Sequence, residues 1–308
     1  PGSYFVGTAG NGLMQLDAHT FSSKRLPFGL NARGAGAIAY WHDRLWFGGD
    51  ARSINGSLVS ATAQLDRFTE HAPQSGAPAD LITALATTDS ALYAGTTHGL
   101  YVLAGAQGRE RWRTGRFGGS DVVTSLVASD GYIYVGTDRG ASRIDRAGAY
   151  DAILSGPYVY GIDATPDTVW IASGAGLIAF ARTGGAPAMA LRGGGSPPAP
   201  VMDVRIVGDT LYALTMDALY RRGPGGWLVP DRQPSQRLGL LGRLRSDGSS
   251  LWVLGTAGFA VKRAKATTWT YYSVSDDVPE GPVRDLLPLG LTQWLATPAG
   301  ALRVPLER

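Results

Sequence analysis

The stretch "LYAGTTHGLYVLA", residues 92–104, decides how this chain is read. A short apolar run stops at Gly95-Thr96, the chain turns through Gly99, and a second apolar run begins. The phrase returns as "IYVGTDRGASRID" at 133–145 and, more loosely, as "YFVGTAGNGLMQLD" at 4–17. Aligned on the aromatic of each run, the copies fall at Phe5, Trp46, Tyr93, Tyr134, Trp170, Tyr212, Trp252 and Trp294, spaced by 41, 47, 41, 36, 42, 40 and 42 residues. A period of about forty residues is that of a four-stranded propeller blade.

Each copy parses alike. An alternating run comes first ("LITALAT", "VVTSLVAS", "VMDVRIV", "VRDLLPL"), then a tight turn, which at Asp130-Gly131 and Asp247-Gly248 carries a strong hairpin signal. The aromatic run, a Gly-bearing turn and a third run follow, and a more polar run such as "ERWRTGRF" closes the unit. Runs of about five residues with a period of two make strands, and no convincing amphipathic helix is found. A twisted four-stranded sheet cannot bury both faces alone, so blades must pack on one another around an axis. The recurring aromatic is expected to fill the gap between blades. Gly95 and Gly136 are expected where the chain turns without room for a Cβ.

The resulting expectation is an all-β propeller over residues 4–308, with Pro1-Gly2-Ser3 read as a cloning scar and the whole as a piece of a longer protein. Eight copies favour eight blades. The alternative is seven, with "VRDLLPL" joining the N-terminal strands and the last hairpin belonging to a further structure, because the first copy lacks a strand before Phe5.

Composition excludes several chemistries. There is no Cys, hence no disulfide, thiolate metal site or Cys nucleophile. A net charge of +3, with 25 Arg and 3 Lys dispersed along the chain, forms no basic stripe, so no nucleic-acid partner is expected. No apolar run approaches the roughly 20 residues that span a membrane.

The copies "YVGTDRGASRID" (134–145), "YAGTTHGLYVL" (93–103) and "YYSVSDDVPEGPVRDLLPLGLTQWLATPAGALRV" (271–304) resemble the two-component-regulator propeller repeat. That repeat is found in extracytoplasmic sensor domains of bacterial hybrid histidine kinases. The resemblance implies a periplasmic or cell-envelope sensing or binding module with nothing enzymatic.

Candidate chemistry is sparse. His19, His42, His71 and His98 lie in different repeats without zinc-ligand spacing, and the acids of "SVSDDVPEG" (273–281) lack the alternation of a calcium loop. No metal or other cofactor is therefore expected. In "GRERWRTGRF" (108–117), Arg109, Arg111 and Arg113 alternate around Trp112, a pattern that either meets an anionic partner or protects a sheet edge. Two loops outgrow the repeat, "GGDARSINGSLVS" (48–60) and "RTGGAPAMALRGGGSPPAP" (182–200). Loops that lead from an outer strand into the next inner strand converge at one mouth of a propeller. They carry Arg33, Asp80, Asp121, Tyr158, Arg237 and Glu280, the candidate binding residues. The functional expectation is a non-catalytic module that presents this face to a protein or oligosaccharide partner, as a sensor or assembly scaffold. The alternative is an enzyme, such as a polysaccharide lyase or hydrolase, working at the axial mouth.

Overall fold

The computed structural model describes residues 3–8, 12–18, 20, 22–26, 34–49, 57–105, 109–114, 120–182, 188–189, 196–223, 225–227, 229–273 and 281–305. These residues form a seven-bladed β-propeller of antiparallel blades, preceded by one small sheet. The first strands of the seven blades are Ala35–Trp41, Ile82–Thr87, Val123–Ser129, Val159–Ala164, Asp203–Val207, Leu241–Ser246 and Asp285–Leu289. Each lies beside the first strand of the next blade, and Asp285–Leu289 lies beside Ala35–Trp41, so the seven encircle an axis. Among the described residues, blades 1 to 6 have four strands and blade 7 has three.

The eight sequence copies therefore yield seven blades. The first copy, Ser3–Thr8 with Gly12–Asp17 and Ser23–Leu26, pairs only within itself. Among the described residues it supplies no inner strand to the ring, and blade 7 already packs on blade 1. "VRDLLPL" does not join the N-terminal strands: Asp285–Leu289 pairs with Thr292–Thr297 of its own hairpin.

The recurring aromatic glues each blade to the next. Trp46 packs with Ile82, Leu92 and Leu103 of blade 2. Trp170 packs with Val204 and Leu211 of blade 5, and Trp252 with Leu286 and Leu295 of blade 7. Trp294 closes the ring against Ile38 and Leu45 of blade 1, with Phe47 edge-on at 6.4 Å. Removing one such fully buried ring typically costs about 3–5 kcal/mol.

The Gly-Thr pair has a different role from the expected turn. Gly136 lies within a strand, and a Cβ there would sit 2.6 Å from Val159 Cγ1 on the inner strand of blade 4. Gly95 faces Val123 of blade 3 in the same way. The glycine thus admits the β-branched side chain that begins the next blade. The turn itself belongs to residues further on: Gly140 has φ 134°, and Thr137 Oγ1 donates to its carbonyl at 3.0 Å while accepting the Arg139 amide at 3.1 Å. Thr96, Ser173 and Thr297 repeat the hydroxyl-to-carbonyl bond. Among the described residues, the strands are interrupted by a 3-10 turn at Pro73–Ser75 and by a six-residue α-helix, Gln233–Leu238, ahead of blade 6.

Candidate functional site

Because all seven inner strands enter from the same side, the loops before them meet at one mouth of the axis. There a concavity of about 560 Å³ is bounded by Ile82, Val123, Tyr158, Leu240, Arg243 and Val283, among others. Its lining is mainly apolar, and Leu240 (61% exposed), Met216 (44%) and Tyr158 (42%) present large apolar side chains to solvent on this side. The Leu241 amide bonds to the Met216 carbonyl at 2.9 Å, which ties the Met216 turn to the rim.

Of the candidate residues, Tyr158 lines the mouth, its ring 4.6 Å from that of Tyr160. Burial, followed by Tyr160 and Asp138, raises its phenol pKa and keeps the hydroxyl protonated. Asp80 and Asp121 meet around His98 on the rim: Asp80 Oδ1 lies 3.2 Å from His98 Nδ1, while Asp121 and His98 share a shallow hollow with Arg139. Arg237 turns away from the axis, stacking over Tyr271 at 4.7 Å on the outer strand of blade 6. Arg33 and Glu280 lie outside the described residues, as do 50–56 of the first long loop and most of 183–195 in the second.

The arrangement is poor in acid–base chemistry. Among the described residues lining the mouth there is no Asp, Glu or His. Its threonine hydroxyls are engaged: Thr83 donates to Val123 O at 2.6 Å, Thr124 to Val159 O at 2.6 Å, and Thr256 to Leu238 O at 3.3 Å. At the rim, Asp80 and the Thr97 hydroxyl both reach the same nitrogen, His98 Nδ1, so the imidazole does not relay a proton between them.

Beneath the mouth the channel carries charges that sequence reasoning missed. Asp163, Asp203 and Asp285 each sit on an inner strand and accept two amides, one from the next residue and one from the next blade. The cross-blade donors are Ile206 at 2.8 Å, Leu244 at 2.8 Å and Ile38 at 3.1 Å. Arg205 donates to Ile162 O at 3.0 Å and Leu244 O at 3.3 Å, bridging blades 4 and 6. Arg245 Nε reaches Asp285 Oδ1 at 2.6 Å. Burial lowers Arg245 to about 10, with Asp285 opposing the fall, so it stays charged at neutral pH. Burial likewise raises Asp163 against the pull of Arg205. These carboxylates are saturated with donors and act as clamps between blades. The available signal was a charged residue inside an alternating apolar run, as in "MDVR" (202–205) and "VRDL" (283–286).

No protein-family model matches the chain, and no curated protein does. Solved structures of the same fold do match. Virginiamycin B lyase from Staphylococcus aureus has a TM-score of 0.67 at 14% identity, over 88% of this chain and 94% of its own. YCF48, solved with a D1 peptide bound, has a TM-score of 0.66 at 12% identity, over 91% and 94%. The extracellular domain of BT4673 from B. thetaiotaomicron, described as a one-component system, has a TM-score of 0.50 at 14% identity. That match takes in 98% of this chain but only 44% of the BT4673 chain. At such identities the likeness concerns the propeller itself.

Proposed function

We propose that this propeller is a non-catalytic binding module that presents its axial mouth to a protein segment in the bacterial envelope, as a sensor or scaffold domain. The observation that carries this reading is the mouth's chemistry: an open, mainly apolar concavity in which Thr83, Thr124 and Thr256 spend their hydroxyls on backbone carbonyls of the blades. Exposed apolar side chains beside a concavity favour a peptide with apolar anchors over a hydroxyl-rich ligand. A propeller of this fold holding a peptide, YCF48, and another forming an extracellular domain, BT4673, are consistent with the role and the compartment.

Peptide display against the purified protein tests it. Enriched peptides should bind in calorimetry and lose at least about tenfold in affinity, roughly 1.4 kcal/mol, in Tyr158→Ala and Leu240→Glu. Enrichment of no peptide, or full affinity in both variants, would refute the mouth as the binding face. The enzymatic reading rests on the rim pair Asp80–His98, and it requires turnover of a saccharide polymer that His98→Ala abolishes.

A further inference from the structure

Apart from the mouth and with no lining residue in common with it, a hollow of about 550 Å³ opens between blades 1 and 2. Arg44, Trp46 and His71 come to it from blade 1, and Glu110, Arg111 and Trp112 from the last run of blade 2. It is richer in aromatic and charged groups than packing two blades requires. His71 stacks on Trp46 with ring centroids 4.6 Å apart and meets Trp112 edge-on at 6.3 Å. Its Nε2 lies 3.0 Å from Ser60 Oγ. His42 stacks on Trp41 at 3.7 Å and brings Nδ1 to 3.0 Å from Glu110 Oε1. Four residues scattered over the sequence, His42, His71, Glu110 and Trp112, thus converge on one place.

The charges around the hollow are unevenly balanced. Glu110, the acid lining the hollow, already holds His42. Arg44 donates through Nη2 to Thr69 Oγ1 at 2.8 Å, but its Nε is buried and has no acceptor among the described residues. Trp41 Nε1, on the ring stacked over His42, is another buried donor without an acceptor among the described residues. Burial, followed by Arg44, keeps His71 at about 4, with Glu110 opposing, so at neutral pH the imidazole supplies a polar edge and no charge. Two guanidiniums, Arg44 and Arg111, thus line the hollow against one carboxylate, Glu110, beside a half-buried indole, and Arg111 Nη1 also donates to the Glu110 carbonyl at 2.9 Å. Its volume falls in the range of small-ligand sites, about 300–1,000 Å³.

We propose that this hollow binds an acidic saccharide unit, a pyranose carrying a carboxylate, with its C–H face on Trp112 and its carboxylate oxygens accepting from Arg44 and Arg111. The pairing of a planar apolar platform with a guanidinium fork matches the two faces of such a ring. A cationic ligand would meet Arg44 and Arg111 and is disfavoured. The inference is independent of what occupies the mouth.

The test is a tryptophan-fluorescence titration of the full chain with digalacturonate, with neutral galactobiose and inorganic phosphate as comparison ligands. Saturable quenching is expected, at least tenfold tighter for digalacturonate than for galactobiose, and unmoved by equimolar phosphate. Trp112→Ala and the exposed substitution Arg111→Gln should each weaken it at least tenfold, the latter without changing the melting temperature, while Leu240→Glu at the mouth leaves it intact. Absence of saturation, equal affinity for galactobiose, displacement by phosphate, or unchanged binding in Arg111→Gln would overturn the proposal. Loss of binding in Leu240→Glu would move the saccharide to the mouth and overturn it equally.

Discussion

The Ile38 amide donates to the Asp285 carboxylate at 3.1 Å across 247 residues of sequence, and this bond joins the last blade to the first. Asp285 also receives Arg245 Nε at 2.6 Å and the Leu286 amide at 2.9 Å, with 5% of its side chain exposed. Asp285→Ala would leave a half-buried guanidinium and a buried amide without their acceptor. It should lower stability by about 3–5 kcal/mol, the usual effect of breaking a buried pair from one side. Thr124→Val removes only a hydroxyl-to-carbonyl clamp and should cost about 1 kcal/mol. Urea denaturation of both variants checks the ranking, and equal losses would refute it.

Closure through Asp285 and Trp294 leaves the N-terminal sheet out of the ring. A chain beginning at Gly34 should therefore fold, with its melting temperature within about 3 °C of the full chain, the shift that roughly 1 kcal/mol produces at this size. A collapse of the transition would mean that the sheet completes the ring after all.

Gly136→Ala should destabilise by about 1–3 kcal/mol, because its Cβ would press on Ser125 Oγ of its own blade and on Val159 of the next and overpack the joint. Gly242→Ala is the matched control: nothing lies within 4 Å of its added Cβ. It should change stability by less than about 0.5 kcal/mol. Thermal unfolding of the pair separates a requirement for space from a general intolerance of alanine.

His71 ties stability to acid. Its folded-state pKa of about 4 lies below the 6.5 of a free histidine, so the unfolded chain takes up the proton first. Its contribution is complete above about pH 6.5 and drains away as the pH falls toward 4, by roughly 2–3 kcal/mol. His71→Gln should flatten the stability profile between pH 6.5 and 4 relative to the parent. An unchanged slope would show that other groups set it.

Much of the blade was legible in the sequence because its determinants are local. The alternation of apolar residues, the Asp130-Gly131 hairpin and the aromatic of each run all act within one repeat or on its nearest neighbour. The purpose of Gly136 was not legible, since the side chain it accommodates, Val159, lies in the next blade. Of the candidate binding residues, Tyr158 was reachable because the loop before an inner strand must open at the mouth. Arg237 follows instead the short helix Gln233–Leu238, which carries it over Tyr271.

By itself the sequence determined the blade, its strand count and its packing aromatic, because a period of two and a repeat near forty residues encode short-range geometry. Only the tertiary structure decided how many copies enter the ring, since closure depends on whether the last blade can meet the first. Asp285 meets Ile38, and Trp294 meets Leu45, without the first copy between them. The same holds for the hollow between blades 1 and 2, where His42, His71 and Trp112 belong to three separate runs of sequence and become neighbours only once two twisted sheets lie face to face.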